Sequence, residues 1–307
     1  MVFCILSDSA YAYLAIENIK HIKALHPDER ILLYDIGLKG YDRRRIERLS
    51  ANLRIVPWPI GEVLETPNRT HNLPLQDATR IALFHASRLR GPMRKLTRFA
   101  LRHFPRSWLA RRAMADYDRW ENKVARKVEC ARDAARKCGS ETIVLLDADA
   151  ILIKPIDIIL EPEFDFAVTM LTPEEVAEHG EEFGTLRGGI VIFGPDRKAR
   201  DALLNHWWEQ CLEADRHFTE EAALERIFSR LARQISGPWQ QAMISIGEIP
   251  VRIQTLPVSR YNYHDIRNIE SADKSDIRVL HFTHKYKNPR IFYPLLQSAA
   301  GWHTDSP

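Results

Sequence analysis

The chain has 307 residues, 45% hydrophobic and 28% charged, with 44 Lys and Arg against 41 Asp and Glu. This is the balance of an ordinary soluble globular protein, long enough to bury a large core. A formal charge of +3 is too small to argue for a nucleic-acid partner, and Cys4, Cys130, Cys138 and Cys211 form no C-x-x-C pair, which argues against a zinc or thiol-redox site and for a reducing cytoplasm.

"MVFCILSDSAYAY" has no basic leader and one short apolar run, so Val2 to Leu6 is expected to be a first strand rather than a signal peptide or membrane span. "AYLAIENIKHIKAL" carries apolar residues at helical spacing and ends near Pro27. "ILLYDI" (Ile31 to Ile36) is a strand, "YDRRRIERLS" a polar helix and "LRIVPW" a further strand. This β-α-β-α-β alternation predicts a mainly parallel sheet with helices on its faces and right-handed crossovers.

The middle of the chain has a different composition. Between Ser87 and Met114 there is no acidic residue, while Arg88, Arg90, Arg94, Lys95, Arg98, Arg102, Arg106, Arg111 and Arg112 all fall there. Met93, Leu96, Ala100, Leu101 and Phe104 share one face of a predicted helix that Pro105 ends, with most of the basic residues opposite. A basic helical insertion at about 87–118 within one domain spanning 1–307 is the expected organisation. A second helix covers about Tyr117 to Lys137. "FDFAVTM" and "GGIVIFG" are strands, "ARDALLNHWWEQCLE" and "EEAALERIFSRLA" helices, and "VRIQTL" and "IRVLHFT" late strands.

Two D-x-D triplets occur. Asp116 and Asp118 lie in a polar helical stretch, where residues two apart point in different directions. Asp147 and Asp149 follow four apolar residues, Ile143 to Leu146, so they stand at the carboxyl end of a central strand, where ligands bind in open α/β sheets. In extended chain both carboxylates would point to one side with Ala148 turned away. Two such oxygen donors suit Mn²⁺ or Mg²⁺ bridging to phosphates; the alternative is a strand end capped by solvated aspartates. "RVLHFTHKYKNPR" favours the metal. It delivers His281, then His284, Lys285 and Lys287: an imidazole to complete the coordination and lysines as point charges for a diphosphate.

These motifs, in this order, resemble the GT-A glycosyltransferases, the metal-dependent nucleotide-sugar transferases, and in particular the group that includes glycogenin and bacterial lipopolysaccharide galactosyltransferases. "SDSAYAYLAI" is similar to the family's base-binding segment, which implies nucleobase contacts from Ser7, Asp8 and Tyr11. "VLLDADAIL" is similar to its metal motif, which implies Mn²⁺ ligation by Asp147 and Asp149. "RGGIVIFG" resembles the turn and strand beneath the sugar, with Gly188 and Gly189. "GPWQQAM" resembles a glutamine-bearing segment near the reacting carbon, which implies a catalytic place for Gln240 or Gln241. "LHFTHKYKNP" resembles the closing motif, with His281 as third metal ligand and Lys287 on the diphosphate. Lys123 resembles a lysine placed near the donor. The chain departs from the family at Arg187, Trp239, His284 and Asn288, where Asn, an acid, Gly and Pro are usual.

The resemblance implies a mixed, mainly parallel Rossmann-like GT-A sheet. It implies a Mn²⁺- or Mg²⁺-dependent transfer of sugar from a nucleotide diphosphate, UDP favoured, to a polysaccharide, lipopolysaccharide or lipid-linked acceptor. Retention is expected. Inversion would need a base such as Glu181, Glu182 or Asp215. A sugar-phosphate nucleotidyltransferase is the second enzyme reading, disfavoured because no glycine follows the first strand. The non-catalytic reading is attachment of 88–112, with Phe104, Trp108 and Leu109, to an anionic membrane surface, on the inner face of a membrane; nucleic acid has little aromatic support.

Overall fold

The computed structural model describes residues 1–58, 79, 83, 91–156, 163–179, 185–213, 219–229, 237–266, 269, 272 and 274–300. Arg88, Arg90, Glu181, Glu182 and Asp215 lie outside these residues, as do the side chains of Arg94, His284 and Lys285.

The first half follows the predicted alternation: β1 (Val2–Ser7), α1 (Ala12–Leu25), β2 (Arg30–Asp35), α2 (Gly40–Glu47) and β3 (Leu53–Pro57). α3 (Gly91–His103) and α4 (Trp108–Cys138) lead into β4 (Ile143–Asp147), and β5 (Ala150–Leu152) follows directly. Then come β6 (Phe166–Met170), α5 (Pro173–His179), β7 (Leu186–Phe193), α6 (Arg197–Glu213), α7 (Thr219–Phe228), β8 (Gln241–Ile246) and β9 (Ile249–Pro257). α8 (Val258–Tyr261), β10 (Val279–His281), a 3₁₀ turn (His284–Lys287) and α9 (Pro289–Ala300) close the chain.

Eight strands form one sheet in the order β3-β2-β1-β4-β7-β6-β9-β8, with β7 and β8 running against the other six. β4 lies inside the sheet and reads as a continuous apolar run because both its faces are covered. Ile143 and Leu145 pack with Val128, Ala131 and Trp207 on the α4–α6 face, whereas Val144 and Leu146 pack with Ile16 and Ile19 of α1. β8, at the edge, alternates half-buried and exposed residues instead. β5 and β10 make a separate antiparallel pair, in register His281 to Ala150. That small sheet, backed by Ile151, Leu280, Phe282 and Phe292, ties the C-terminal segment to the chain just past β4.

α3 and α4 form a hairpin held by buried Leu101, Ala110, Ala113 and Met114. Ser107 caps α4, its Oγ accepting from the Ala110 N–H at 3.3 Å, and the helix then runs unbroken to Gly139 at positive φ. The predicted insertion and the predicted second helix therefore overlap: α4 begins inside the basic segment and ends at β4. The apolar face predicted for α3 is divided. Ala100 and Leu101 turn inward, whereas Leu96 and Phe104 are exposed, and the side chain of Met93 lies outside the described residues. No described helix is long and apolar enough to cross a membrane.

α1 buries three polar residues, Glu17, Asn18 and His21. Burial pushes the His21 imidazole down from 6.5 to about 4, although a backbone contact at Leu152 opposes the shift. The unfolded chain takes up that proton near pH 6.5, and the folded chain does not until about pH 4. Stability is expected to fall as pH drops through this window, by up to about 3 kcal/mol. Urea unfolding of the wild type and His21→Leu across pH 4 to 7 checks this; identical pH slopes would refute it.

Candidate active site

Asp147 is the last residue of β4, and its alternation matches Ile143 and Leu145, so its carboxylate emerges on the α4 face. There Lys127 of α4 meets it at 2.6 Å. The strand ends at Asp147 rather than running through the triplet, which corrects the extended-chain reading. Ala148 turns into the α1 side of the core, and Asp149 sits on the turn. Asn18 pins this turn: its Nδ2 donates to the carbonyls of Ala150 (2.8 Å) and Asp147 (3.4 Å), and its Oδ1 accepts from the Leu152 N–H (3.2 Å). The two carboxylates still converge, by a turn instead of by strand pleat.

His281 arrives through the β5–β10 pairing. Its neighbour Phe282 donates its N–H to the Asp149 carbonyl at 2.9 Å, and His281 Nε2 stands 3.4 Å from Asp149 Oδ1. Ligand atoms of Asp147, Asp149 and His281 all lie within 4.8 Å of one another. Donors held about 2.1–2.2 Å from one ion are about 3–4.4 Å apart, so the set needs to close by a few tenths of an ångström to bind Mn²⁺ or Mg²⁺. The donor chemistry fits: two carboxylates and an imidazole, hard enough for either ion.

Cations already face these carboxylates. Lys287 pairs with Asp149 Oδ2 and lies 4.8 Å above the Tyr11 ring, 3.5 Å from its hydroxyl. Burial would raise the Asp149 carboxyl, but Lys287 and His281 overcome it and hold the group ionised well below the usual range. Burial lowers Lys287 in turn, and Asp149 more than restores it, so the ammonium stays charged. Tyr13 donates its hydroxyl to the Lys287 carbonyl, which anchors the 3₁₀ turn. At the end of β1, buried Ser7 donates to the Asp8 carbonyl at 3.0 Å. Asp8 accepts from the Ala10 N–H and lies 3.3 Å from Lys123. Tyr11 and Lys287 thus stand beside Asp149, Asp8 and Lys123 form a second pair past the end of β1, and Ser7 is buried there.

Glycines 188 and 189 lie on β7, next to β4. The Gly188 N–H donates to Glu221 Oε1 at 2.7 Å, and its carbonyl accepts from Lys127. A Cβ at Gly189 would stand 2.3 Å from Asn262 Oδ1 and 2.8 Å from His281 Nδ1. Glycine is required there by close approach, not by backbone angle. Glu221 of α7 is half-buried, and its desolvation raises the carboxyl, while the Gly188 N–H, Arg187 and Lys127 oppose this. Glu225, one turn on, accepts from the Leu186 N–H at 2.6 Å, so α7 clamps the start of β7 twice.

Lys127, Glu221, Asn18 and Asn262 are the residues that sequence reading missed. Lys127 was within reach: it lies one helical turn after Lys123 and so shares its face of α4. Gln240 and Gln241 lie just before and at the start of the edge strand. Gln240 pairs with Thr255 of β9, its N–H donating to Oγ1 at 3.1 Å, and Gln241 opens β8. Four strand spacings, roughly 19 Å, separate β8 from β4.

The sheet order, the carboxylates at the end of β4 and the returning His281 strand define a GT-A fold. No protein-family model matches the sequence, and no curated protein sequence matches it. Among solved structures, the chain is similar to the galactosyltransferase LgtC, crystallised with donor and acceptor sugar analogues, at 11% identity, covering 100% of this chain and 98% of that one with a TM-score of 0.50. It is also similar to the bifunctional glycosyltransferase WbbM, at 9% identity and a TM-score of 0.52, covering 98% of this chain and 49% of that one.

Proposed function

We propose that this chain is a glycosyltransferase that moves a sugar from a nucleotide diphosphate, UDP favoured, to a hydroxyl of a glycan or glycolipid. The observation that carries the reading is the meeting of Asp147, Asp149 and His281, with Lys287 alongside, at the carboxyl end of β4 in a GT-A sheet. Ser7, Asp8 and Tyr11 at the end of β1 would bind the nucleoside, with the Tyr11 ring available to stack on a base. Asp147, Asp149 and His281 would hold Mn²⁺ or Mg²⁺, which neutralises charge on the departing diphosphate. Lys287, on reaching a bound diphosphate, would exchange Asp149 for phosphate oxygen and stabilise the same developing charge. Lys123 would approach the donor from the facing helix.

Retention is the course we expect from the family resemblance. Asp147 and Asp149 are paired with lysines and Glu221 with the Gly188 N–H, while Glu181, Glu182 and Asp215, the bases an inverting reaction would use, lie outside the described residues. Product in the donor's own anomeric configuration, assigned by NMR, is expected; the opposite configuration would discard retention while leaving the transferase reading intact.

The binding site is tested by thermal shift with UDP, GDP, CDP and ADP, each with and without Mn²⁺, since a ligand that binds only the folded state raises the melting temperature. One diphosphate should stabilise the protein, and only with metal. His281→Ala should raise the Mn²⁺ concentration for the half-maximal shift by at least about tenfold. Unchanged Mn²⁺ dependence in that variant would make His281 structural, and a flat panel would remove the support for a nucleotide site.

A further inference from the structure

The α3–α4 hairpin presents an unusual surface. Leu96, Phe99, Phe104 and Trp108 are each more than half exposed, although a helix pair with a buried seam had other positions for them. They are not scattered. Phe99 touches both His103 (4.7 Å between ring centroids) and Phe104 (5.9 Å), while Arg112 lies 5.4 Å over the Trp108 ring. On α3, Leu96, Phe99 and His103 flank one edge of the exposed face, and Lys95, Arg98 and Arg102 the other, within an arc of about 160°. Arg106 in the turn and Arg111 and Arg112 on α4 extend the positive charge. Among the described residues, no carboxylate pairs with Lys95, Arg98, Arg102, Arg106 or Arg111.

We propose that this hairpin end docks the protein on an anionic lipid surface, with Leu96, Phe99, Phe104 and Trp108 entering the headgroup layer and the surrounding Lys and Arg contacting lipid phosphates. Charge complementarity names the sign of the partner, and the apolar residues name its class. A nucleic-acid backbone would use the basic residues but offers little to an exposed Leu and Phe, whereas a bilayer interface uses both. α3 has the features of an interfacial helix: too short and too charged to span, with aromatic and basic residues on one outward arc. The inference does not depend on the transfer reaction, yet it would serve one. α4 carries Trp108 near its start and Lys123 fifteen residues later, so a helix of ordinary rise sets that lysine about 22 Å along its axis from the docking point. One rigid element would thus hold the site at a fixed distance from a membrane-borne acceptor.

The test is sedimentation of the full chain with vesicles of equal parts phosphatidylglycerol and phosphatidylcholine, against vesicles of phosphatidylcholine alone. Binding to the anionic vesicles only is expected. Lys95→Gln/Arg98→Gln/Arg102→Gln should weaken it by about a hundredfold, at roughly fivefold per charge. Phe99→Ser/Trp108→Ser keeps every charge and should weaken it by roughly tenfold. Equal binding to both vesicle types, or no loss in the charge variant, would overturn the proposal. So would full binding by the serine variant, which would describe a polyanion surface, as for nucleic acid, instead of a lipid one. Hydrogen exchange of the unaltered chain gives a readout that needs no variant: amides of 91–108 should gain protection on anionic vesicles, and protection confined to other segments counts against docking here.

Discussion

Asp149→Asn is expected to lower metal-dependent sugar transfer on the order of a thousandfold, the size of effect that follows loss of one preorganised charge at a reacting phosphate. The substitution keeps the side-chain shape and one acceptor oxygen but removes the charge that Lys287 and His281 share. Asp149 is only 6% exposed, so solvent cannot replace what is lost. Folding should suffer less than catalysis, by about 1–3 kcal/mol, because Lys287 keeps contact with the Tyr11 hydroxyl. Asp116→Asn, in the other D-x-D triplet, is the internal control: it lies on α4, away from the end of β4, and should leave metal dependence unchanged. Initial rates over a Mn²⁺ series, with circular dichroism for folding, separate the two. Retention of more than about a tenth of the rate by a folded Asp149→Asn protein would sink the metal assignment.

Much of this site was legible because it rests on local patterns. The apolar run Ile143 to Leu146 announced a strand covered on both faces, and a D-x-D after such a run has few places to go but the strand's carboxyl end. The β1–α2 segment likewise showed its alternation, and topology follows from that with little freedom. What stayed hidden depended on contacts distant in sequence. β5 and β10 have three residues each, too few for any periodicity, yet their pairing is what brings His281 to Asp149. Glu221 reads as one acid among several on a helix, and only the packing of α7 against β7 gives it the Gly188 N–H. For Gln240 and Gln241, short-motif similarity suggests a place near the reacting carbon, while strand order makes Gln241 the first residue of the edge strand β8. On α3, helical spacing grouped apolar residues of which the neighbouring helix covers only Ala100 and Leu101; Leu96 and Phe104 of that group are exposed, and Phe99, outside it, is exposed as well.

Gly189→Ala should be the most damaging single-methyl change near the site. An alanine Cβ would lie 2.3 Å from Asn262 Oδ1 and 2.8 Å from His281 Nδ1, inside any normal contact distance. Neither neighbour can retreat easily. Asn262 is fully buried, with Nδ2 3.4 Å from Thr169 Oγ1, and His281 is held at both sides of its strand by Tyr263 and Ala150. Overpacking of this kind costs about 1–3 kcal/mol. Because one clashing atom belongs to the His281 ring, the Mn²⁺ affinity inferred for that ring should fall too. Two other glycines make the argument discriminating. At Gly188 a Cβ would meet Glu221 and Lys127 side-chain atoms at 3.3–3.4 Å, and a shift of a few tenths of an ångström relieves it. At Gly194 it would meet the Phe164 carbonyl at 2.2 Å, a backbone clash remote from the metal ligands. Gly188→Ala should therefore be mild in both respects, and Gly194→Ala should lose stability with Mn²⁺ affinity intact among molecules that fold. Gly189→Ala alone should lose both, measured by urea unfolding and Mn²⁺ titration. If it matches the wild type in both, Asn262 and His281 are not packed against the β7 backbone as described, and the position of the third ligand goes with them.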